Sequence, residues 1–199
     1  MSLDKLLVEH CAPTLASLKT ANLFSCRYED EEELTAAIRE WNDAFKEKGV
    51  ELILLRCRDN GALIYVCRRN RLARDLRKEG VAEFLGRFGY SGICAGSADC
   101  SNGACACVDC AIEQLKSRLS EAAGSFPHEI GIFLDYPLCD VRGFIENAGA
   151  NCKCAGCWKV YGDEHEARQR FHRYSKCREV YTRLWHSGAR SITQLTVRA

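Results

Sequence analysis

The densest chemistry in the chain is "CAGSADCSNGACACVDC", residues 94 to 110, which carries Cys94, Cys100, Cys105, Cys107 and Cys110. Thiolates are soft ligands, and zinc takes four thiolate or imidazole donors in a tetrahedron, usually delivered as paired C-x2-C knuckles. Cys107 and Cys110 make one such pair at the start of a helix, where the dipole favours the thiolate. Cys154 and Cys157 make a second, with Cys152 beside it. The span between the pairs is too long for a local finger, so tertiary folding would have to join them. The five cysteines of the first stretch alone offer another cage, for zinc or an iron–sulfur cluster. Their spacings of x5, x4, x1 and x2 match no ferredoxin pattern. A third reading is an exposed glycine-, alanine- and serine-rich loop over 95–106 with free thiols, its cysteines not needed for folding. Cys154-Ala-Gly-Cys157 also suggests a redox dithiol, but it precedes a strand rather than filling a strand-to-helix turn.

A second set of polar residues lies in "SFPHEIGIFLDYPLCDVRGFIENAG". His128 and Glu129 are neighbours, so on either regular element they point different ways and form no ready dyad. The zinc signature HExxH fails because residue 132 is isoleucine. Pro127 and Pro137 bracket the stretch and stiffen it.

The elements that must hold these residues follow from periodicity. Residues 3–9 and 13–19 read as short helical segments broken around Pro13, and "NLFSC" as a strand. "YEDEEELTAAIREWNDAFKEKG" is an amphipathic helix with Leu34, Ile38, Trp41 and Phe45 on one face, acids in its first turn and Gly49 closing it. The Glu29–Glu33 run serves the helix dipole. "VELILLRCRDNGALIYVCR" reads as a hairpin turning at Asn60-Gly61. That turn sets Cys57 opposite Ile64 and Cys67 opposite Leu54. The two cysteines then lie on opposite faces, cannot bond, and act as small buried hydrophobes. "RNRLARDLRK" and "GVAEFLGRFGY" read as helices. The basic residues Arg68, Arg69, Arg71, Arg74, Arg77 and Lys78 form either a solvated face or a phosphate grip. Val108, Ile112, Leu115 and Leu119 mark a further helix, "PLCDVRGFIENAG" another, and "CWKVYG" is strand-like. Residues 163–186 form a long helix capped by Asp163 and Glu166, with Phe171, Tyr174, Tyr181 and Leu184 inward. "ARSITQLTV" reads as a final strand.

No linker or repeat interrupts this pattern. It predicts one α+β domain over 1–199, helices packed on a small antiparallel or mixed sheet that contains a 50–67 hairpin, with a cysteine-rich loop inserted at 95–107. A formal net charge of +1 gives no global field for nucleic acid or an anionic membrane. The opening "MSLDKLLVEHCAP" has no export pattern, and no apolar run is long enough to span a bilayer. A cytoplasmic protein with reduced thiols is expected.

"FPHEIGIFLDYPLCDVRGFIENAG" followed by "CWKVYGD", together with the N-terminal "HCAPTLASLKTANLF", resembles the bacterial DUF3793 family, domains of unknown function. The resemblance spans nearly the whole chain and implies a free-standing cytosolic domain with no assigned activity. The cysteines at 94–110 and at 152, 154 and 157 are not part of the family pattern, whereas Cys11, Lys19, His128, Glu129 and Asp140 lie inside the matched motifs. Three functions follow. One is a non-catalytic protein that binds a metal (zinc or iron) or a small ligand, with Lys19 and Asp140 as ligand-binding residues and a place in iron or other metal homeostasis. Another is a small enzyme with Cys11 as nucleophile and His128 as base, Glu129 beside them. The last is a partner-binding adaptor. His128 and Glu129 are expected near Cys11 and Lys19 at the edge of one pocket.

Overall fold

The computed structural model describes residues 2–59, 61–93, 106–121 and 126–198. In chain order the first elements are α1 (Leu3–Leu15), β1 (Ala21–Arg27), α2 (Glu31–Phe45), β2 (Glu51–Arg58), β3 (Gly61–Cys67), α3 (Arg69–Leu76) and α4 (Val81–Gly86). Then come α5 (Ala106–Glu121), α6 (Ile130–Phe133), α7 (Leu138–Glu146), β4 (Cys154–Ala155), β5 (Lys159–Val160), α8 (Glu164–His186) and α9 (Ile192–Leu195). The class is α+β. The chain divides into two compact units, residues 1–69 with 173–199 and residues 70–172.

The first unit is built on a three-stranded antiparallel sheet in the order β1-β3-β2. Alternation along β3 sends Ala62, Ile64 and Val66 to one face, beside Phe24 and Cys26 of β1 and Leu52 of β2. That face packs with Leu6, Leu7, Val8, Cys11 and Leu15 of α1 and Ile38 and Phe45 of α2. Asp30 caps α2 by accepting from the Glu32 and Glu33 amides at 2.7 and 3.3 Å, and the rings of Trp41 and Phe45 lie 4.9 Å apart.

Four expectations are corrected here. The hairpin does not turn at Asn60-Gly61: Gly61 pairs with Arg58 and so belongs to β3, while residue 60 lies outside the described residues. Asp59 takes the left-handed conformation, φ 49°, that short polar side chains tolerate. A bulge between Leu54 and Arg56 shifts the register again. Cys57 therefore faces Ala62 and Cys67 faces Glu51, which still leaves them on opposite faces, both free. The second correction is α1, one helix running through Pro13. Pro13 sits in its last turn, and its carbonyl receives the Leu18 and Lys19 amides at 2.9 and 3.1 Å while Ser17 turns left-handed at φ 57°. Third, the final strand is the helical turn α9, because Ser191 and Gln194 form a capping box. Fourth, Arg68 is no surface residue. It is wholly buried and donates to the carbonyls of Thr14, Leu15, Lys48 and Val197 at 2.7, 2.8, 3.0 and 2.8 Å.

In the second unit, α3 and α4 bury Leu72, Leu76, Val81, Phe84 and Leu85, and α5 buries Val108, Ile112, Leu115 and Leu119. The segment 126–162 folds as α6, a Tyr136-Pro137 corner, α7 and the small antiparallel hairpin β4–β5. Asp163 caps α8 by accepting from the Glu166 amide at 2.9 Å. Most of the cysteine-rich insertion, residues 95–105, lies outside the described residues.

Candidate functional site

The second unit holds a cavity of about 410 Å³ walled by α6, α7 and the β4–β5 hairpin, with Phe126, His128, Tyr136, Phe144 and Trp158 as its aromatic lining. Its geometry starts from Asp140. This residue sits in the first turn of α7 and is only 3% exposed. One carboxylate oxygen accepts the amides of Tyr161 and Gly162, each at 2.7 Å, and the other accepts the indole Nε1–H of Trp158 at 2.7 Å. One buried acid thus ties α7 to the exit of β5 and fixes the plane of the indole. Three N–H dipoles answer its charge in place of a cation.

Two glycines make this closeness possible. A Cβ on Gly162 would stand 2.5 Å from Cys139 Sγ and 3.2 Å from an Asp140 oxygen, so a side chain there would push the amide off the carboxylate. A Cβ on Gly143, one turn along α7, would meet the Tyr161 ring at 2.5 Å. The indole is then held from both sides. Tyr136 stacks on it at 4.9 Å, and Phe171 meets it edge-on at 4.5 Å. The opposite wall is Phe144, with the exposed His128 ring edge-on to it at 4.8 Å. Lys159, across the hairpin from Ala155, carries its ammonium 5.8 Å from the Phe144 centroid and donates to the Gly149 carbonyl at 2.7 Å. The lining is therefore aromatic and aliphatic, with a carboxylate already hydrogen-bonded to three N–H groups and, on exposed residues, an ammonium and an imidazole.

The model of the family described as a protein of unknown function, DUF3793, matches residues 7–196. The chain belongs to the DUF3793 family. No curated protein and no solved structure matches it.

Of the residues in the DUF3793 motifs, His128 and Asp140 line the cavity. Glu129 turns the other way. It is 1% exposed, ion-paired with Arg118, and accepts from the Tyr90 hydroxyl at 3.4 Å. Arg118 also donates to the Phe88 carbonyl at 2.9 Å. Burial first, and the Glu129 charge second, push the Tyr90 hydroxyl well above its ordinary pKa. Glu129 is spent on that buried group and adds nothing to the cavity wall.

Cys11 and Lys19 belong to the first unit, on α1 and just after it. Cys11 is fully buried, and burial pushes its thiol far above the usual range, with the Lys19 charge pulling it only part of the way back. A nucleophilic cysteine needs the reverse, a depressed pKa and access to solvent. Lys19 is 4% exposed, its ammonium 5.9 Å from the centroid of the Tyr174 ring.

Cys94, Cys100 and Cys105 lie outside the described residues. Cys107 is buried in the first turn of α5, and Cys110 is exposed, its sulfur 2.9 Å from Gln114 Nε2. Cys152, Cys154 and Cys157 are free thiols around the β4–β5 hairpin. Among the described residues no group of three or more histidines, cysteines or acids is placed to hold a metal ion, and no helix is long and apolar enough to cross a membrane.

Sequence reasoning did not single out Tyr136, Phe144, Trp158 or Lys159. The signal was present in "CWKVYG", where an indole precedes a two-residue strand that begins with the amine and a glycine comes soon after. That segment is too short to declare which side of a hairpin faces a cavity.

Proposed function

We propose that the protein is a non-catalytic binding module that takes a small, flat, largely apolar ligand into the cavity of its second unit. The observation that carries this reading is the wall itself: five aromatic rings around about 410 Å³, one of them clamped by a buried carboxylate. That volume lies in the range of small-ligand sites, roughly 300–1,000 Å³, and a few polar groups among aromatic walls are their usual composition. A plain core fills such space with side chains instead of keeping its rings around a void. The enzyme reading finds less support, since burial opposes the Cys11 thiolate.

Isothermal titration with two naphthyl probes, 2-naphthalenemethanol and naphthalene-2-carboxylate, tests the reading. At least one should bind the parent protein saturably. Ala155→Phe, which places a ring into the cavity mouth, should weaken that binding by about tenfold or more through loss of the buried volume. No saturable heat with either probe, or equal binding by the variant, contradicts the proposal.

A further inference from the structure

We infer that the ligand of this cavity carries an anionic group, a carboxylate or a chemically similar oxyanion, and that Lys159 receives it; the inference rests on the binding function proposed above. The cavity has two charged residues in its lining, Asp140 and Lys159, and they differ in what remains unspent. Both oxygens of Asp140 already accept N–H groups at 2.7 Å, and the residue is buried. An organic cation entering the cavity would find that carboxylate already answered by donors. Lys159 is exposed, and its ammonium has three protons. The Gly149 carbonyl, 2.7 Å away, takes one of them and fixes the amine above the Phe144 ring. Two donors remain for a ligand.

The Phe144 ring is approached by that ammonium and also by the His128 imidazole, whose ring centroid lies 4.8 Å from its own. A ring-bearing acid can place its flat body among Phe144, Tyr136 and Trp158 and bring its oxyanion to the rim where the amine and the imidazole stand. The cation–π geometry disfavours the opposite ligand. The native ammonium already sits above the Phe144 ring, so a second cation there meets like charge as well as an occupied site.

The test uses the same two probes, which share one ring system and differ in charge, on the full chain at low ionic strength. Naphthalene-2-carboxylate should bind the parent about tenfold tighter than 2-naphthalenemethanol, the ratio expected for one charge-assisted hydrogen bond. Lys159→Met keeps the aliphatic stem over Phe144 and removes the charge, so the preference should collapse to about one. Lys159→Arg should keep a preference for the acid. Raising the salt should erode the preference in the parent and change nothing in Lys159→Met. Equal affinity of both probes for the parent, or a preference unchanged in Lys159→Met, overturns the anionic ligand while the binding function stands. Failure of both probes to bind overturns both readings at once.

Discussion

Arg68 in the first unit and Asp140 in the second are buried charges of opposite sign, each satisfied by backbone or ring groups of its own unit. Arg68 spends its guanidinium on the carbonyls of Thr14, Leu15, Lys48 and Val197, so it staples the end of α1, the turn before β2 and the C-terminal tail. No ligand could use it. Asp140 spends its carboxylate on two backbone amides and one indole, and that indole is a cavity wall. The same device, a buried ion surrounded by fixed dipoles, closes a core in one place and holds a cavity open in the other. What differs is the third partner. Carbonyls on every side leave only structure, whereas a ring on one side lets the charge position a surface that meets a ligand.

The largest expected effect is in the stapling charge. Arg68→Met should lower the unfolding free energy by about 4 kcal/mol in urea denaturation, since it leaves several buried carbonyl acceptors without their donor. Arg68→Lys should recover only part of that loss, because an ammonium cannot reproduce the planar fork. A loss below about 1 kcal/mol for Arg68→Met would remove the guanidinium from its role as staple.

Asp140→Asn comes next, at about 2–3 kcal/mol, because an amide must turn its NH2 toward at least one of the three donors that now point at the carboxylate. The same variant should weaken probe binding, through the freed indole. If stability falls and probe affinity holds, Asp140 is a second Arg68 and the comparison loses its point.

Gly143→Ala sharpens the comparison on the α7 side. In an open helix the exchange stabilises by about 1 kcal/mol. Here the new methyl meets the Tyr161 ring at 2.5 Å. The expected result is a net loss of about 1–2 kcal/mol, read as a lower melting temperature. A higher melting temperature would show that β5 gives way freely and that the α7–β5 joint is not rigid.

The smallest effect concerns Asp135, a half-buried acid with φ 63° in the second unit. Burial, and then the Asp75 charge, hold its carboxyl above the ordinary carboxylate range, against the pull of Lys78, Arg170 and Arg71. A raised acid pKa means that the folded state binds the proton more tightly than the unfolded chain. The fold is therefore penalised once pH rises above the folded value, and relieved of the penalty below the unfolded value near 3.9. Asp135→Asn keeps a side chain that tolerates the left-handed conformation. It should raise stability at pH 7 by less than about 1 kcal/mol, and the gain should vanish as pH falls toward 4. Destabilisation at pH 7 would mean that the Lys78 contact, 3.7 Å away, outweighs the burial cost.

Sequence patterning reaches some of these features and stops at others for physical reasons. The α2 stripe of Leu34, Ile38, Trp41 and Phe45 is legible because a long helix repeats its burial pattern and acids crowd its first turn. The β2–β3 pairing is legible, but its register is not. Gly61 pairs within β3, which moves every partner, and a bulge at Leu55 moves those of Glu51–Leu54 once more, with nothing local in "LILLRCR" to mark it. Arg68 reads as surface because it heads a run of arginines, and only the fold brings four carbonyls from distant stretches around it. His128 and Asp140 stand out through their motif, and both line the cavity. Lys159 and Trp158 do not, since a two-residue strand shows no period from which a face can be assigned.

Binding of a small aromatic acid at the clamped indole of the second unit can be followed in a single titration. The chain has three tryptophans, and Trp41 and Trp185 belong to the first unit. With 15N-labelled protein, the three indole N–H resonances can be followed in 1H–15N correlation spectra as naphthalene-2-carboxylate is added. A saturable shift of the Trp158 indole resonance is expected, with the Trp41 and Trp185 resonances near their starting positions and the Trp158 response reduced about tenfold in apparent affinity by Lys159→Met. A Trp158 resonance that stays fixed while the probe is added, or equal movement of all three, would contradict it.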